Sequence, residues 1–179
     1  MKVYMSNIEQ IENIADLENN LSKSEFAQYS KFSNKIRRLQ YLLAHSIVKN
    51  VCGENIIVDK NGAPTIKSGF ISVAHKDNWV VVAISDCQVG IDIENTNIDR
   101  DFAGQSELLG LPETNDKMTF YKNFVKYESM FKYGDNAPNA NMCFYEIDDY
   151  LIGICSTESV SDINFILPNA FNVRLVCAE

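Results

Sequence analysis

The stretch FISVAHKDNWVVVAISDCQVGIDIE, residues 70–94, decides the fold. It contains three apolar runs, Phe70–Ala74, Trp79–Ser85 and Val89–Glu94, in which β-branched and aromatic residues dominate. The short polar connections Asp77-Asn78 and Asp86-Cys87-Gln88 separate these runs. Such a pattern is typical of strands joined by tight turns. We therefore predict three consecutive strands arranged as a meander.

Helical segments lie on both sides of these strands. Apolar residues at steps of three and four predict a helix over residues 34–51. Ser33 can cap its start, and Gly53 ends it. Its apolar stripe consists of Ile36, Leu39, Leu43, Ile47 and Val51. A second helix is predicted over residues 116–133, ended by Gly134, with a buried stripe of Phe120, Phe124, Tyr127 and Phe131. Shorter segments predict a helix from Ser22 to Tyr29, a turn at 60–64, and strands near residues 3–5, 56–58, 142–147, 150–156, 163–167 and 173–176.

The order of a helix followed by strands occurs twice along the chain. This order predicts an α+β fold with antiparallel sheets, each packed by a long helix. We expect a single unit over residues 1–179, made of two similar halves, 1–95 and 96–179, related by a pseudo-twofold axis.

Composition excludes several classes of protein. The 179 residues are 46% hydrophobic and 22% charged, as in an ordinary soluble globular protein. Sixteen basic and 24 acidic residues give a net charge of −8, which argues against general nucleic-acid binding. No apolar run approaches the ~20 residues of a membrane helix, and residues 1–10 carry no export signal. The five cysteines are odd in number and lack CxxC spacing. We therefore expect a cytoplasmic protein with reduced, mostly buried thiols and no membrane contact.

Two acidic residues share one face of the predicted strand Val89–Glu94. Because side chains alternate along a strand, Asp92 and Glu94 stand on the face opposite Ile91 and Ile93, roughly 7 Å apart. Two carboxylates held this close favour a cation between them, and oxygen ligands suit Mg²⁺. The alternative is a solvated strand face with two ordinary acidic residues.

A third acidic residue, Glu128, falls on the predicted apolar stripe of the second helix. A carboxylate in that position needs a partner, since burial of an unpaired charge is costly. Lys132, one helical turn later, can form an ordinary helix ion pair with it. The other interpretation is that Glu128 joins Asp92 and Glu94 in a metal site.

Basic residues mark a possible phosphate site. His75 and Lys76 end the strand that begins at Phe70, and such a pair can bind phosphate or have a structural role. Residues 26–53 contain no Asp or Glu but carry Lys31, Lys35, Arg37, Arg38 and Lys49. This basic segment either binds a phosphorylated ligand or an acidic partner, or is balanced by acids elsewhere in the fold.

These motifs together resemble the 4′-phosphopantetheinyl transferases, specifically the two-half type that activates surfactin synthetase. That type carries a Ser-His pair, a Gly-(Ile/Val)-Asp-(Ile/Val)-Glu strand and a Trp-x-x-Lys-Glu-(Ala/Ser)-x-x-Lys helix. The corresponding segments here are Ile71–His75, Val89–Glu94 and Phe124–Lys132, and the resemblance extends over about residues 31–132. It implies the fold of that family and a monomer.

The resemblance also implies a reaction, in which the phosphopantetheine arm of coenzyme A moves to a serine of an acyl or peptidyl carrier protein and 3′,5′-ADP leaves. By position, Asp92, Glu94 and Glu128 would hold Mg²⁺. Glu128 would also take the serine proton, directly or through a metal-bound water. Lys132 would contact the phosphate and stabilise the leaving group. His75, Lys76, Arg37 and Arg38 would contact coenzyme A, with the arginines directed to its 3′-phosphate.

The motifs depart from the family pattern on the helix. Phe124 replaces the Trp, and Tyr127 replaces the Lys that precedes Glu128. Lys126 cannot fill this position, because one residue on a helix is a rotation of ~100°. Two alternatives therefore accompany the transferase. One is a degenerate relative that binds coenzyme A or a carrier protein without efficient transfer. The other is a Mg²⁺-dependent nucleotide phosphohydrolase that uses the same carboxylates.

Overall fold

A computed structural model describes residues 1–60, 62–134, 140–159 and 163–166, and the backbone of 173–176. The helices are α1 (Ile14–Asn19), α2 (Lys23–Tyr29), α3 (Lys35–Cys52), α4 (Phe102–Leu109) and α5 (Lys117–Tyr133), with a 3₁₀ turn at Ile8–Gln10. The strands are β1 (Lys2–Asn7), β2 (Ile57–Val58), β3 (Pro64–Thr65), β4 (Phe70–Lys76), β5 (Trp79–Ser85), β6 (Val89–Asn95), β7 (Asn141–Ile147), β8 (Tyr150–Ser156), β9 (Asn164–Ile166) and β10 (Val173–Val176). Asn61 in the predicted turn and Cys177 lie outside the described residues.

Two four-stranded sheets, in the orders β4-β5-β1-β9 and β10-β7-β8-β6, form the centre of the molecule. An α+β fold is therefore confirmed, and most pairs are antiparallel, but β1 and β9 are parallel. The predicted meander is wrong in its third strand, because β6 pairs with β8 rather than with β5. The chain passes to the second sheet between Ser85 and Val89.

The sheets pack face to face and share one core. Apolar residues of β1, β4 and β5 meet those of β6, β7 and β8, including Val3, Val81, Ile91 and Ile152. Helix α3 covers the outer face of the first sheet, and α5 covers that of the second. Because burial of apolar area is worth about 25 cal/mol per Å², this shared core is a large part of the stability of the fold. None of the helices in the described ranges is long and apolar enough to cross a bilayer.

Helix α3 is buried on more sides than its sequence predicts. Ala44 and Val48 pack on the sheet, whereas Tyr41 and Leu42 pack against α1, α2 and Phe32. The two ends of the predicted stripe, Ile36 and Val51, are exposed. The cap is Asn34, whose side chain accepts a hydrogen bond from the backbone N–H of Arg37, rather than Ser33. Gly53 ends the helix in the left-handed conformation, as predicted.

Small residues set the approach of α5 to the second sheet. Its buried face carries Tyr121, Val125, Ser129 and Tyr133, together with Phe120. The predicted stripe is therefore wrong at Tyr127 and Phe131, which are 43% and 75% exposed. The Ser129 side chain lies within hydrogen-bond distance of the carbonyls of Val125 and Gly153. This close packing turns Phe124, Glu128 and Lys132 toward the edge of the sheet.

Candidate functional site

A pocket of about 320 Å³ opens where the edge strands of the two sheets meet. The backbone N–H of Ile91 on β6 donates a hydrogen bond to the Ser72 hydroxyl on β4, over 3.0 Å. Beyond this contact, the pocket is lined by residues of β4, β6 and α5, which are Val73, Ala74, His75, Asp92, Glu94, Phe124, Glu128 and Lys132. The strand and helix motifs singled out in the sequence therefore converge on one pocket.

Asp92 is buried, with only 8% of its surface exposed, and it binds Lys132. The Lys132 Nζ donates to Asp92 Oδ1 over 2.8 Å and to the carbonyl of Ile91 over 3.0 Å. The ion pair of Lys132 is therefore with Asp92 and not with Glu128. Burial raises the pKa of Asp92 to about 6; Lys132 opposes this rise, whereas the charges of Glu94 and Glu128 add to it. The second oxygen, Oδ2, is buried and has no hydrogen-bond partner.

Glu94 is neutralised by two cations on one oxygen. Its Oε2 lies 2.6 Å from Lys76 Nζ and 2.9 Å from an arginine that the sequence reasoning missed, Arg100. The Arg100 guanidinium also lies 5.4 Å from the centre of the Tyr121 ring, and the Tyr121 hydroxyl donates to the carbonyl of Ile98. Arg100 belongs to no motif. The only feature of the sequence that connects it with the site is its position six residues after Glu94.

His75, Arg37 and Lys132 share one electrostatic environment. The pKa of His75 is lowered to about 4, because desolvation and the charges of Arg37, Lys132 and Lys76 disfavour its protonated form. Part of His75 is exposed to solvent, and the residue also lines the pocket. Its imidazole is neutral at pH 7 and can donate or accept a hydrogen bond there.

The two neighbouring arginines of α3 point to different places. Arg37 lies close enough to His75 to affect its pKa, and burial lowers the pKa of Arg37 itself. Arg38 instead lies 3.6 Å from Glu18 and 4.4 Å from the centre of the Tyr29 ring, beside a different pocket. The charge of Arg37 thus reaches His75, although its guanidinium lies over the Phe32 ring, and the residues that line the pocket include neither arginine.

The carboxylates do not form a closed metal centre. In the part of the chain that the structure describes, no three His, Cys, Asp or Glu side chains are gathered in metal-binding geometry. The donors nevertheless suit a hard divalent ion, because Asp92, Glu94 and Glu128 supply oxygen to one pocket. The buried, unpartnered Asp92 Oδ2 has the character of an oxygen that lacks its cation. The chemical type of these ligands therefore suits a divalent ion.

Asp77 holds the strand ends that carry these groups. It has a φ of 50° in the turn between β4 and β5, directly after His75 and Lys76. Its carboxylate accepts hydrogen bonds from Asn95 Nδ2 (2.8 Å) and from the Tyr150 hydroxyl (3.0 Å). Burial and this hydrogen bond raise the pKa of Tyr150 to about 12. The ends of β4, β6 and β8 are thereby fixed relative to one another.

A larger pocket of about 660 Å³ lies between α2 and β2 and contains none of the predicted site residues. Glu25 at its wall is buried against His45, whose Nδ1 is 2.7 Å from Glu25 Oε1. The same carboxylate accepts hydrogen bonds from the backbone N–H groups of Ile56 and Ser22. Because the partners of this carboxylate are two backbone N–H groups and a buried histidine, we assign the pair a structural role.

No family model matches the chain. It is similar to the 4′-phosphopantetheinyl transferase gsp of Aneurinibacillus migulanus, with 33% identity over 88 residues. The match covers 44% of this chain and 37% of the relative, so it spans little more than a third of that protein. The similarity supports the transferase superfamily that the motifs indicated.

Proposed function

We propose that the chain transfers the 4′-phosphopantetheine arm of coenzyme A to a serine of an acyl or peptidyl carrier protein, with Mg²⁺, and releases 3′,5′-ADP. The observation that carries this proposal is the convergence of Asp92, Glu94, Glu128 and Lys132 on one pocket. These residues lie 40 positions apart at the extremes, and the transferase motif is the pattern that relates them.

In the proposed reaction, the serine oxygen attacks the phosphorus that bears the pantetheine arm. A new O–P bond forms while the bond to the bridging oxygen breaks, and the electron pair leaves with 3′,5′-ADP. Glu128 takes the serine proton. Lys132 balances charge on the phosphate and the leaving group, and His75, Lys76 and Arg37 bind the remaining phosphates.

Asp92, Glu94 and Glu128 would hold the Mg²⁺ ion in this proposal. When bound, such an ion supplies positive charge that offsets the charge that develops on the phosphate oxygens. The unpartnered Asp92 Oδ2 supports this assignment, because it offers a free oxygen inside the pocket.

The repeated connectivity of the sheets supports the two-half arrangement. In each sheet a strand, a long helix and a hairpin follow one another, and the last strand lies in the middle, as β4-β5-β1 and β7-β8-β6. We propose that these units correspond by a pseudo-twofold axis, with coenzyme A between them. A monomeric state and a cytoplasmic location stay predictions.

The test is a mass measurement. The chain is incubated with coenzyme A, Mg²⁺ and the apo form of a carrier protein from fatty-acid, polyketide or nonribosomal-peptide synthesis. The expected product is a carrier heavier by one phosphopantetheine arm, and a carrier whose acceptor serine is replaced by alanine should gain nothing. Absence of a mass gain with all three classes of carrier would contradict the proposal.

Variants locate the reaction in the pocket. We expect Asp92→Ala and Glu128→Gln to lower the transfer rate by about 100-fold or more while the fold survives. Each variant removes a carboxylate that would hold the cation against the phosphate oxygens. Glu107→Gln is the matched control, since Glu107 is an exposed acidic residue on α4. Near-normal transfer by Asp92→Ala would remove the role of the metal carboxylates.

One observation favours the second candidate, a relative that binds coenzyme A without efficient transfer. The Asp92 and Glu94 carboxylates already bind Lys132, Lys76 and Arg100. Tight coenzyme A binding without a carrier mass gain would identify this candidate. Release of nucleotide or free phosphate in the absence of a carrier would instead identify the phosphohydrolase.

A further inference from the structure

Arg100 lies in the loop after β6 and is held beside the pocket by its ion pair with Glu94, which lines the pocket. Its guanidinium is 2.9 Å from Glu94 Oε2, and its side chain is only 18% exposed. The face of Tyr121 lies 5.4 Å away. Tyr121 in turn ties down the same loop through the carbonyl of Ile98, over 2.6 Å. If Glu94 released Arg100, the contact with the Tyr121 ring would therefore still hold the arginine beside the pocket.

The charges of the pocket are balanced before any ligand enters. Three carboxylates, those of Asp92, Glu94 and Glu128, line the pocket. Three cations lie on two of them, Lys132 on Asp92 and both Lys76 and Arg100 on Glu94, so the two sets of charges are equal in number. Arg37 adds a further positive charge near His75. A bare divalent cation would therefore enter a site without net negative charge, where the neighbouring cations repel it more strongly than in water because the site is partly desolvated. A diphosphate that enters with the cation supplies the missing negative charge.

We propose that Arg100 makes the binding of a divalent cation at this pocket conditional on a diphosphate-bearing ligand. In the free protein, Arg100 competes with the cation for Glu94. With the ligand present, the anchored guanidinium faces phosphate oxygens, to which arginine donates well. Cation and diphosphate then bind with positive coupling, and each raises the affinity for the other by the same factor. This inference rests on the proposed function for the identity of the ligand.

The test is calorimetric titration of the full chain with Mn²⁺, with and without saturating coenzyme A. We expect weak Mn²⁺ binding alone and tight binding with coenzyme A. For Arg100→Gln, we expect Mn²⁺ alone to bind roughly tenfold more tightly and the coupling factor to fall by a similar amount, within the usual range for coupled sites.

Two variants control for a loss of structure. Arg100→Lys retains the positive charge and should keep most of the coupling. Lys117→Gln removes a charge from the neighbouring pair with Asp99, which is exposed, and should leave both Mn²⁺ affinities unchanged. Equal Mn²⁺ affinities for the wild type and Arg100→Gln, or no coupling in the wild type, would overturn the inference. Because the readout is binding, coupling that depends on Arg100 would stand even if no carrier gained mass.

Discussion

The carbonyl oxygen of Ser129 on α5 lies directly against the Cα of Gly90 on β6. A β-carbon on Gly90 would overlap this oxygen and would come within 2.6 Å of the backbone nitrogen of Tyr133. Both neighbours are backbone atoms, so neither can turn aside. The glycine of the Gly-Ile-Asp-Ile-Glu strand is therefore what allows α5 to place Glu128 and Lys132 beside Asp92.

We expect Gly90→Ala to lower the free energy of unfolding by about 3 kcal/mol or more, because the helix must shift to admit the methyl group. The shift should also weaken coenzyme A binding under conditions where the variant stays folded. Urea unfolding and calorimetry measure the two effects. Gly110→Ala is the control: its added methyl meets open space, and only a φ of 64° opposes it, at a cost of about 1 kcal/mol. Equal losses for the two variants would show that the contact with Ser129 is unimportant.

Two lysines on α5 provide a matched comparison. Lys132 binds buried Asp92, whereas Lys126 is exposed. We expect Lys132→Met to reduce transfer by about 100-fold and to destabilise the fold by about 1–3 kcal/mol, since it leaves the Asp92 carboxylate unpaired. Lys126→Met should change stability by less than about 0.5 kcal/mol. Steady-state transfer rates and thermal unfolding of both variants test this difference.

The adjacent arginines of α3 should differ in the same way. We expect Arg37→Gln to raise the KM for coenzyme A about tenfold or more, because a charged hydrogen bond to phosphate is lost. Arg38→Gln should change it less than about twofold, since Arg38 is engaged with Glu18 and Tyr29. Similar KM values for the two variants would contradict the proposed contact of Arg37 with the phosphates.

The core pair Glu25 and His45 predicts how stability depends on pH. Burial alone would raise the pKa of Glu25, but hydrogen bonds from Ser22 and His45 lower it overall. Burial lowers the pKa of His45, and Glu25 opposes this only in part. Both folded pKa values therefore lie below the unfolded ones. The pair stabilises the fold fully above about pH 6.5, and stability falls as acid protonates first the unfolded histidine and then Glu25.

We expect Glu25→Gln to destabilise the chain by about 2–4 kcal/mol at pH 7, because several buried donors lose a charged acceptor. Its unfolding free energy should depend less on pH below about 4.5 than that of the wild type, since the titrating carboxylate is gone. Urea unfolding from pH 7 to pH 4 measures both effects. A steeper acid dependence in the variant would refute the assignment.

Much of the fold could be predicted from sequence, because β4, β5, α3 and α5 carry strong periodic patterns. The two missed helices, α1 and α4, are short and weakly periodic, although Asp101 and Gly110 mark the ends of α4 as cap and terminator. The partner sheet of β6 could not be predicted, because the choice depends on contacts with β8, more than fifty residues later. A local pattern does not contain this information.

The convergence of Asp92, Glu94, Glu128 and Lys132 on one pocket could be predicted, because a motif relates these residue types. The buried face of α5 could not, because two aromatic stripes compete in the sequence. The small side chain of Ser129 decides between them, because its hydroxyl lies against Gly153 and lets the helix come close to the sheet. Arg100 was missed for a different reason: a loop residue acquires a role only when the fold brings it to Glu94.

The pocket has one wall from each sheet, and Asp77 binds the ends of both across the seam. Neither sheet carries all of the residues that line the pocket. The pocket is thus a property of the docked pair of sheets, formed when their apolar faces close on each other and lost as soon as they separate.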